Sequence, residues 1–347
     1  MIPYLIVVFL IVCAFVYLED YLDKDKLYAY ICICVVLVLI AALREVGKDD
    51  DSLNYQKIFE NYDDEFITAT VESSYIFLSR IFYNMGHDIH SIFFVYAMIS
   101  IPLKFMAIRR LSEQLFLPIV FYISHFFILH DMIEIRVSAA IGFFLMGLYP
   151  LAQGERMKAF LWFCGAMVFH YSTLALFPLL FFSNKPLSNI WKYGLASIVP
   201  LGYAMYFAHI DVLTAVPLPF IGDKLELYRE MKDLGAFDEI IVIKNPILLI
   251  KIVCFYIILI YNETISIYNK NIPLLTKIMG VSLFCFFFFS ALPVLSGRMY
   301  ELFGAIDVVT ICSIVYVIRP VSVSRGIVIG LACIQMFMDV AVYKLIR

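Results

Sequence analysis

The chain has 347 residues, 63% hydrophobic and only 16% charged, with a mean hydropathy of +0.90 and a formal net charge of −3. A soluble globule of this size cannot hide that much apolar surface, so the composition gives an all-α polytopic membrane protein and excludes a soluble one. The charge sum carries little information, because membrane proteins are organised by the sidedness of their charges.

The first apolar run, 2–18, is uncharged and lacks a basic start and a small-residue cleavage site, so it reads as a retained first helix. Breaking the remainder at polar clusters gives about twelve spans, each crossing needing roughly 17 to 25 apolar residues. They are 2–18, 27–43, 89–108, 114–130, 134–151, 157–170, 171–183, 191–208, 245–261, 273–293, 299–318 and 326–343. The sixth and seventh are short and read either as a helical hairpin turning within the membrane beside His170 or as one broken helix. All eight cysteines fall inside apolar runs, where they read as small buried hydrophobes. With no Gly/Ser linker, repeat or soluble insert, residues 1–347 read as one membrane domain.

Lys24 and Lys26, then Lys104, Arg109 and Arg110, then Arg156 and Lys158, Lys185 and Lys192, Lys270 and Lys277, and Arg319 and Arg325 mark every second connection. This is the positive-inside pattern and makes those connections cytoplasmic. The two longer loops, 44–88 and 209–244, are acidic and read as external. Within the second, the stretch 223–234 alternates charged and apolar residues as an amphipathic surface helix does, and as a lid over a site would; a solvated connector fits equally.

This topology gathers the unusual residues at one face. Arg44 follows the second span, Glu72 lies in the first external loop, Arg136 opens the fifth span, His170 separates the sixth and seventh, and Arg298 opens the eleventh. Each has an ordinary alternative. Arg44 could snorkel to lipid phosphates, Arg298 could pair with Glu301 three residues on, and His170 could be a hydrogen-bonded core histidine. Arg136 is harder to set aside, since a charge within a span costs about 2.5 to 3.5 kcal/mol at mid-depth and so faces protein or a water-filled cavity. His87 and His90 have the spacing of a metal pair without further ligands, and the run Asp49 to Asp51 reads as a solvated acidic stretch more than as a cation loop. No P-loop, G-x-G-x-x-G, G-x-S-x-G or H-E-x-x-H occurs, which leaves no nucleotide cofactor and no metal to be assigned, and no nucleic-acid partner. Of the 23 tyrosines and 32 phenylalanines, most belong to lipid-facing or interfacial positions, though some could stack against sugar rings.

Arg44 through Gly47, the aspartates that follow, Tyr55 and Phe59 resemble the R-x-x-G-x-D-x-x-x-Y-x-x-x-F signature of EpsG-like, Wzy-type polysaccharide polymerases. Glu72 with Tyr75, Leu78 and Gly86 is similar to the E-x-x-Y segment that follows it. Ile135 and Arg136 through Ala139, Gly154 to Arg156, and Phe169-His170-Tyr171-Ser172 resemble the family's I-R, basic-loop and F-H-x-S elements, and Gly297 to Tyr300 a late arginine motif. Counting from Gly47 makes Asp49 the signature aspartate, whereas counting back from Tyr55 makes it Asp51.

The resemblance implies a GT-C-like membrane glycosyltransferase of the bacterial inner membrane, its active site facing the periplasm or outside. Its substrates would be oligosaccharides on undecaprenyl pyrophosphate, with the bilayer and a chain-length-regulating co-polymerase as partners. It would transfer the growing glycan to the next lipid-linked repeat unit. Guanidinium groups bind a departing pyrophosphate without a metal, which points to Arg136 and Arg298, then Arg44. Asp51, Tyr55 and Tyr300 join them as substrate-binding residues, and either Glu72 or His170 would take the proton from the attacking hydroxyl. The competing functions are a flippase or transporter, which would hold its charges near mid-membrane between repeated halves, and a ligase using the same carrier.

Overall fold

The computed structural model describes residues 2–22, 24–208, 230, 245–290 and 292–346. Among these residues there is no strand, only an isolated bridge between Asp49 and Ile346. The chain forms two compact units, residues 1–184 with 315–347 and residues 185–314, a division that no linker in the sequence marks.

In the first unit, α1 (Ile2–Leu18) and α2 (Asp25–Ala42) are followed by three short helices of the first long loop, α3 (Ser52–Glu60), α4 (Glu65–Thr70) and α5 (Ser73–Asn84). Then come α6 (His90–Leu111), α7 (Phe116–Phe121), α8 (Ile135–Ala152) and α9 (Arg156–Phe169). α7 runs on into a π-helix, Tyr122–Asp131, and α9 is followed by a 3₁₀-helix, Tyr171–Phe181. A final helix, here α16 (Val321–Phe337), returns to this unit. α6, α8 and α9 pack side by side in its centre. At Gly142 an added Cβ would lie 3.1 Å from the Leu103 Cβ and 3.2 Å from the Ser100 carbonyl, so the missing side chain lets α6 and α8 approach closely. Beneath the long loop, Tyr55, Phe59, Tyr75, Ile92, Phe93, Tyr96, Ile135 and Ala139 form one buried cluster against which Phe169 packs.

The second unit holds α10 (Asn189–Phe207), α11 (Pro246–Ile260), α12 (Asn262–Tyr268), α13 (Ile272–Phe288), α14 (Pro293–Gly304) and α15 (Asp307–Thr310). Its interior contains an ion pair, Lys251 Nζ to Asp307 Oδ2 at 2.7 Å, with Ser282 Oγ 2.9 Å from the same ammonium.

Each of the twelve apolar segments read from the sequence contains a helix. Among the described residues five helical stretches are long and apolar enough to cross a membrane, Ile2–Tyr21, α2, α6, α8 and Val321–Val342, and two bent pairs bring the total to seven. The two pairs bend by 80° between α11 and α12 and by 47° between α14 and the segment Asp307–Tyr316; of the other five expected segments, Phe116–Asp131, Tyr171–Phe181 and Ile272–Phe288 are shorter apolar helices, and the remaining two hold α9 and α10. Two of the expected loop cations are buried within helices: Lys104 and Lys277 are each 1% exposed, the latter donating to the Lys185 carbonyl at 3.2 Å. All eight cysteines are free, but Cys32 and Cys333 lie on the exterior rather than in the core. The expected lid, 209–244, lies outside the described residues apart from Glu230.

Candidate active site

Three breaks in the helical chain of the first unit bring three of the expected site side chains to one point. The first is the long loop. After α2 the backbone turns at Gly47, whose φ of +84° is left-handed and disfavours any side chain, and the Gly47 amide donates to Ser52 Oγ at 2.8 Å. Asp49 Oδ1 then accepts from the amides of Ser52 (2.7 Å) and Asp51 (3.1 Å), which satisfies orphan donors at the start of α3. α3 carries Tyr55, whose ring stacks on Tyr75 with centroids 5.6 Å apart and whose carbonyl accepts from the Tyr75 hydroxyl at 2.9 Å. This locks α3 to α5, and Glu72 occupies the extended residue immediately before α5.

The second break is the π-helix that precedes α8. Its i→i−5 bonds, Met132 N to Phe127 O and Glu134 N to Leu129 O, both 3.0 Å, end in a turn that sets Arg136 as the second residue of α8. The third is His170, extended at φ −156° between α9 and the 3₁₀-helix, its carbonyl accepting from Thr173 Oγ1 at 2.6 Å. α9 and the 3₁₀-helix pack against each other, so the sixth and seventh segments form a hairpin with His170 at its turn.

Glu72 joins the three. Its Oε2 accepts a short hydrogen bond from Arg136 Nη1, and its Oε1 lies 2.7 Å from His170 Nδ1. The Glu72 side chain is 7% exposed, that of His170 18% and that of Arg136 23%, so the carboxylate is enclosed while both its partners keep an open edge. Burial pushes the Glu72 carboxyl up, but the hydrogen bond from His170 and the charge of Arg136 more than offset this and hold it below its ordinary value. Among the described residues His170 Nε2 has no hydrogen-bond partner, and the Arg136 guanidinium lies 5.5 Å from the Tyr55 ring centroid. Burial pushes the Tyr55 phenol up to about 12, which keeps it a neutral donor.

The other expected site residues are Asp51, Arg44, Arg298 and Tyr300. Asp51 is half-buried near this group; burial, then the charges of Glu134 and Asp49, push its carboxyl up, and Arg136 opposes them. Arg44 is not at the surface. Its side chain is fully enclosed, lies 3.7 Å over the Phe93 ring, donates from Nη1 to the Asp131 carbonyl at 3.1 Å and has Nε 3.7 Å from Asp49 Oδ2. Enclosed in this way, the Arg44 guanidinium ties the start of the long loop to the turn before α8. Asp49, not Asp51, is the aspartate engaged with it. Arg298 and Tyr300 belong to α14 of the second unit, where Arg298 is exposed and the Tyr300 ring covers Lys251 Nζ at 3.9 Å. His90 is likewise accounted for, with Nε2 at 3.1 Å from the Arg44 carbonyl and Nδ1 at 3.3 Å from Asp88. Among the described residues no group of three or more His, Cys, Asp or Glu side chains is placed to hold a metal ion.

The sequence model of the EpsG family matches residues 27–346, a stretch that includes every one of these side chains. The chain belongs to the EpsG family. No curated protein and no solved structure matches it. As an EpsG protein it is a multi-pass membrane protein with a polysaccharide-polymerase type of role, and its helical architecture agrees with that class.

One buried network in this EpsG chain escaped the sequence reading. Asp131 Oδ2 accepts from Lys104 Nζ at 2.7 Å and from the Tyr122 hydroxyl at 2.6 Å; Oδ1 accepts from Ser138 Oγ at 2.6 Å and, in a short bond, from Ser100 Oγ. Four donors on one carboxylate satisfy it in a setting where an unpaired charge would cost several kcal/mol. Because Asp131 ends the π-helix and its carbonyl also receives Arg44, the network fixes the turn from which Arg136 projects. The available signal was an aspartate inside an apolar run, which needs a cationic partner somewhere in the bundle.

Proposed function

We propose that the chain is a polymerase that transfers a growing glycan from undecaprenyl pyrophosphate onto the next lipid-linked repeat unit at the outer face of the inner membrane. The observation that carries this reading is the Glu72 carboxylate held between Arg136 and His170. With the Nδ1 proton directed to Glu72, His170 presents the lone pair of Nε2 outward, which suits it to accept a proton from the attacking sugar hydroxyl. Glu72, already engaged by two donors, orients the imidazole and balances the positive charge it gains. As the hydroxyl oxygen bonds to the anomeric carbon, the bond from that carbon to the pyrophosphate oxygen breaks and its electron pair passes to the leaving group. Arg136 uses one of its five N–H donors on Glu72 and retains others that can meet this growing charge. The donor's own carrier bond supplies the free energy, so the reaction requires no nucleotide.

The test is the glycan profile of cells whose only copy is His170→Ala or Arg136→Ala. Loss of the long-chain ladder with accumulation of single repeat units is expected for both. Carrier-bound long chains would identify a ligase, absence of both species from the outer surface a flippase, and an unchanged ladder would remove these residues from the chemistry.

A further inference from the structure

The residues that follow Glu72 and His170 repeat their pairing at the surface. Ser73, the first residue of α5, and Tyr171, the first residue of the 3₁₀-helix, bring their hydroxyl oxygens to 3.4 Å, one residue beyond the Glu72–His170 bond in each segment. Where Glu72 is enclosed, this second pair is open: Ser73 is exposed and Tyr171 is 53% exposed. On the other side of His170, Phe169 faces inward, its ring stacked on Phe143 at 5.4 Å and edge-on to Tyr96 at 5.9 Å. The extended His170 thus sends one aromatic neighbour into the packed interior and the other outward, beside the imidazole.

We propose that Tyr171 and Ser73 form the acceptor-sugar subsite, the Tyr171 ring stacking against the apolar C–H face of the sugar whose hydroxyl meets His170. This inference rests on the polymerase reading above and adds to it a specificity-determining surface. A phenol suits the task because it offers a flat apolar face and a hydroxyl at its rim, matching a pyranose ring that is apolar on its faces and polar around its edge. The hydroxyl contact with Ser73 limits rotation of the ring, so part of the ordering cost is met before the sugar arrives. Seated there, the sugar presents a ring hydroxyl to the imidazole edge, and the ring it stacks on is set by the same backbone that places the base.

The experiment uses the purified full-length protein in detergent, with lipid-linked repeat units from cells lacking the polymerase as substrate. The free repeat-unit oligosaccharide, released from its carrier by mild acid, serves as a competing acceptor. Tyr171→Leu keeps apolar bulk without a stacking face and is expected to raise the inhibition constant of the free oligosaccharide roughly tenfold while kcat stays within about twofold of wild type. Tyr171→Trp, which retains a face, is expected to stay within about threefold in both, and Ser73→Ala to give a smaller rise than Tyr171→Leu. His170→Ala, run alongside, is expected to abolish turnover. If Tyr171→Leu leaves the inhibition constant unchanged while His170→Ala is inactive, Tyr171 is an ordinary membrane-interface tyrosine and this inference falls alone. Wild-type turnover in His170→Ala would overturn the underlying reading as well.

Discussion

Replacing Glu72 by glutamine keeps its size and removes its charge. In the wild type that charge is 2.7 Å from His170 Nδ1 and nine-tenths enclosed. Two unit charges about 4 Å apart interact by about 4 kcal/mol at an effective dielectric of about 20, which bounds what the carboxylate can contribute to an imidazolium forming in the transition state. Arg136 shares the same carboxylate and draws off part of that effect, so the net loss is about 2 to 4 kcal/mol, or roughly 30- to 1000-fold in kcat. On the proposed reading Glu72 acts through His170 and Arg136 rather than on the sugar or lipid, so KM is expected to change little. The measurement is initial-rate polymerisation by purified Glu72→Gln protein on extracted lipid-linked units, with thermal unfolding run in parallel to confirm that the variant is folded. A folded Glu72→Gln enzyme within about threefold of wild-type kcat would refute the role given to this carboxylate.

Asp51→Asn is expected to raise the melting temperature at pH 7: the native carboxyl holds its proton to a higher pH than the unfolded one, so ionisation costs stability as pH rises from its ordinary value of 3.8 through the raised native value. Below pH 3.8 the variant and wild type should melt together, and a gap that persists there would contradict the assignment. Lys104→Met leaves the Asp131 charge without its cation in a site where the two side chains are 2% and 0% exposed, and should cost about 3 to 5 kcal/mol in detergent unfolding. Adding Asp131→Asn should recover more than half of that loss, and no recovery would show that the pair does not act as a unit. Arg44→Lys keeps the charge but loses the planar stack on Phe93 and the fork that reaches Asp131 and Asp49 together, so the yield of folded protein should fall as it does for a core substitution. Wild-type yield and melting temperature for that variant would return Arg44 to the surface role expected from sequence.

Hydrophobic run length placed a helix in each of the twelve apolar segments, because an apolar stretch in a membrane protein has few alternatives to a helix, but it missed the short helices α3, α4 and α5 of the acidic loop and α12. It did not settle how many cross. Run length marked a break at His170 but cannot register the π-turns before α8 or the bends after α11 and α14, which depend on where local hydrogen bonds are satisfied. Lys104 shows the same limit for charge. Read with Arg109 and Arg110 it counts as part of a basic loop, yet at about 1.5 Å per residue it lies about 7.5 Å back from Arg109 toward the start of α6, inside the bundle. Its partner Asp131 is 27 positions away in sequence, beyond any local pattern.

The candidate site was legible by residue type and not by arrangement. Glu72 and His170 stood as rival bases because each, taken alone, can accept a proton. The structure hydrogen-bonds one to the other across 98 residues, and Glu72 to Arg136 across 64. On the proposed reading, the carboxylate bound by two donors is the counter-charge, and the imidazole bound at one nitrogen is oriented to act at the other. Arg44 illustrates the converse. Its motif position is the same whether it faces substrate or protein, and only the Phe93 ring beneath it and the Asp131 carbonyl beyond it decide that its charge is used to hold the loop bearing Tyr55 and Glu72 against the turn bearing Arg136.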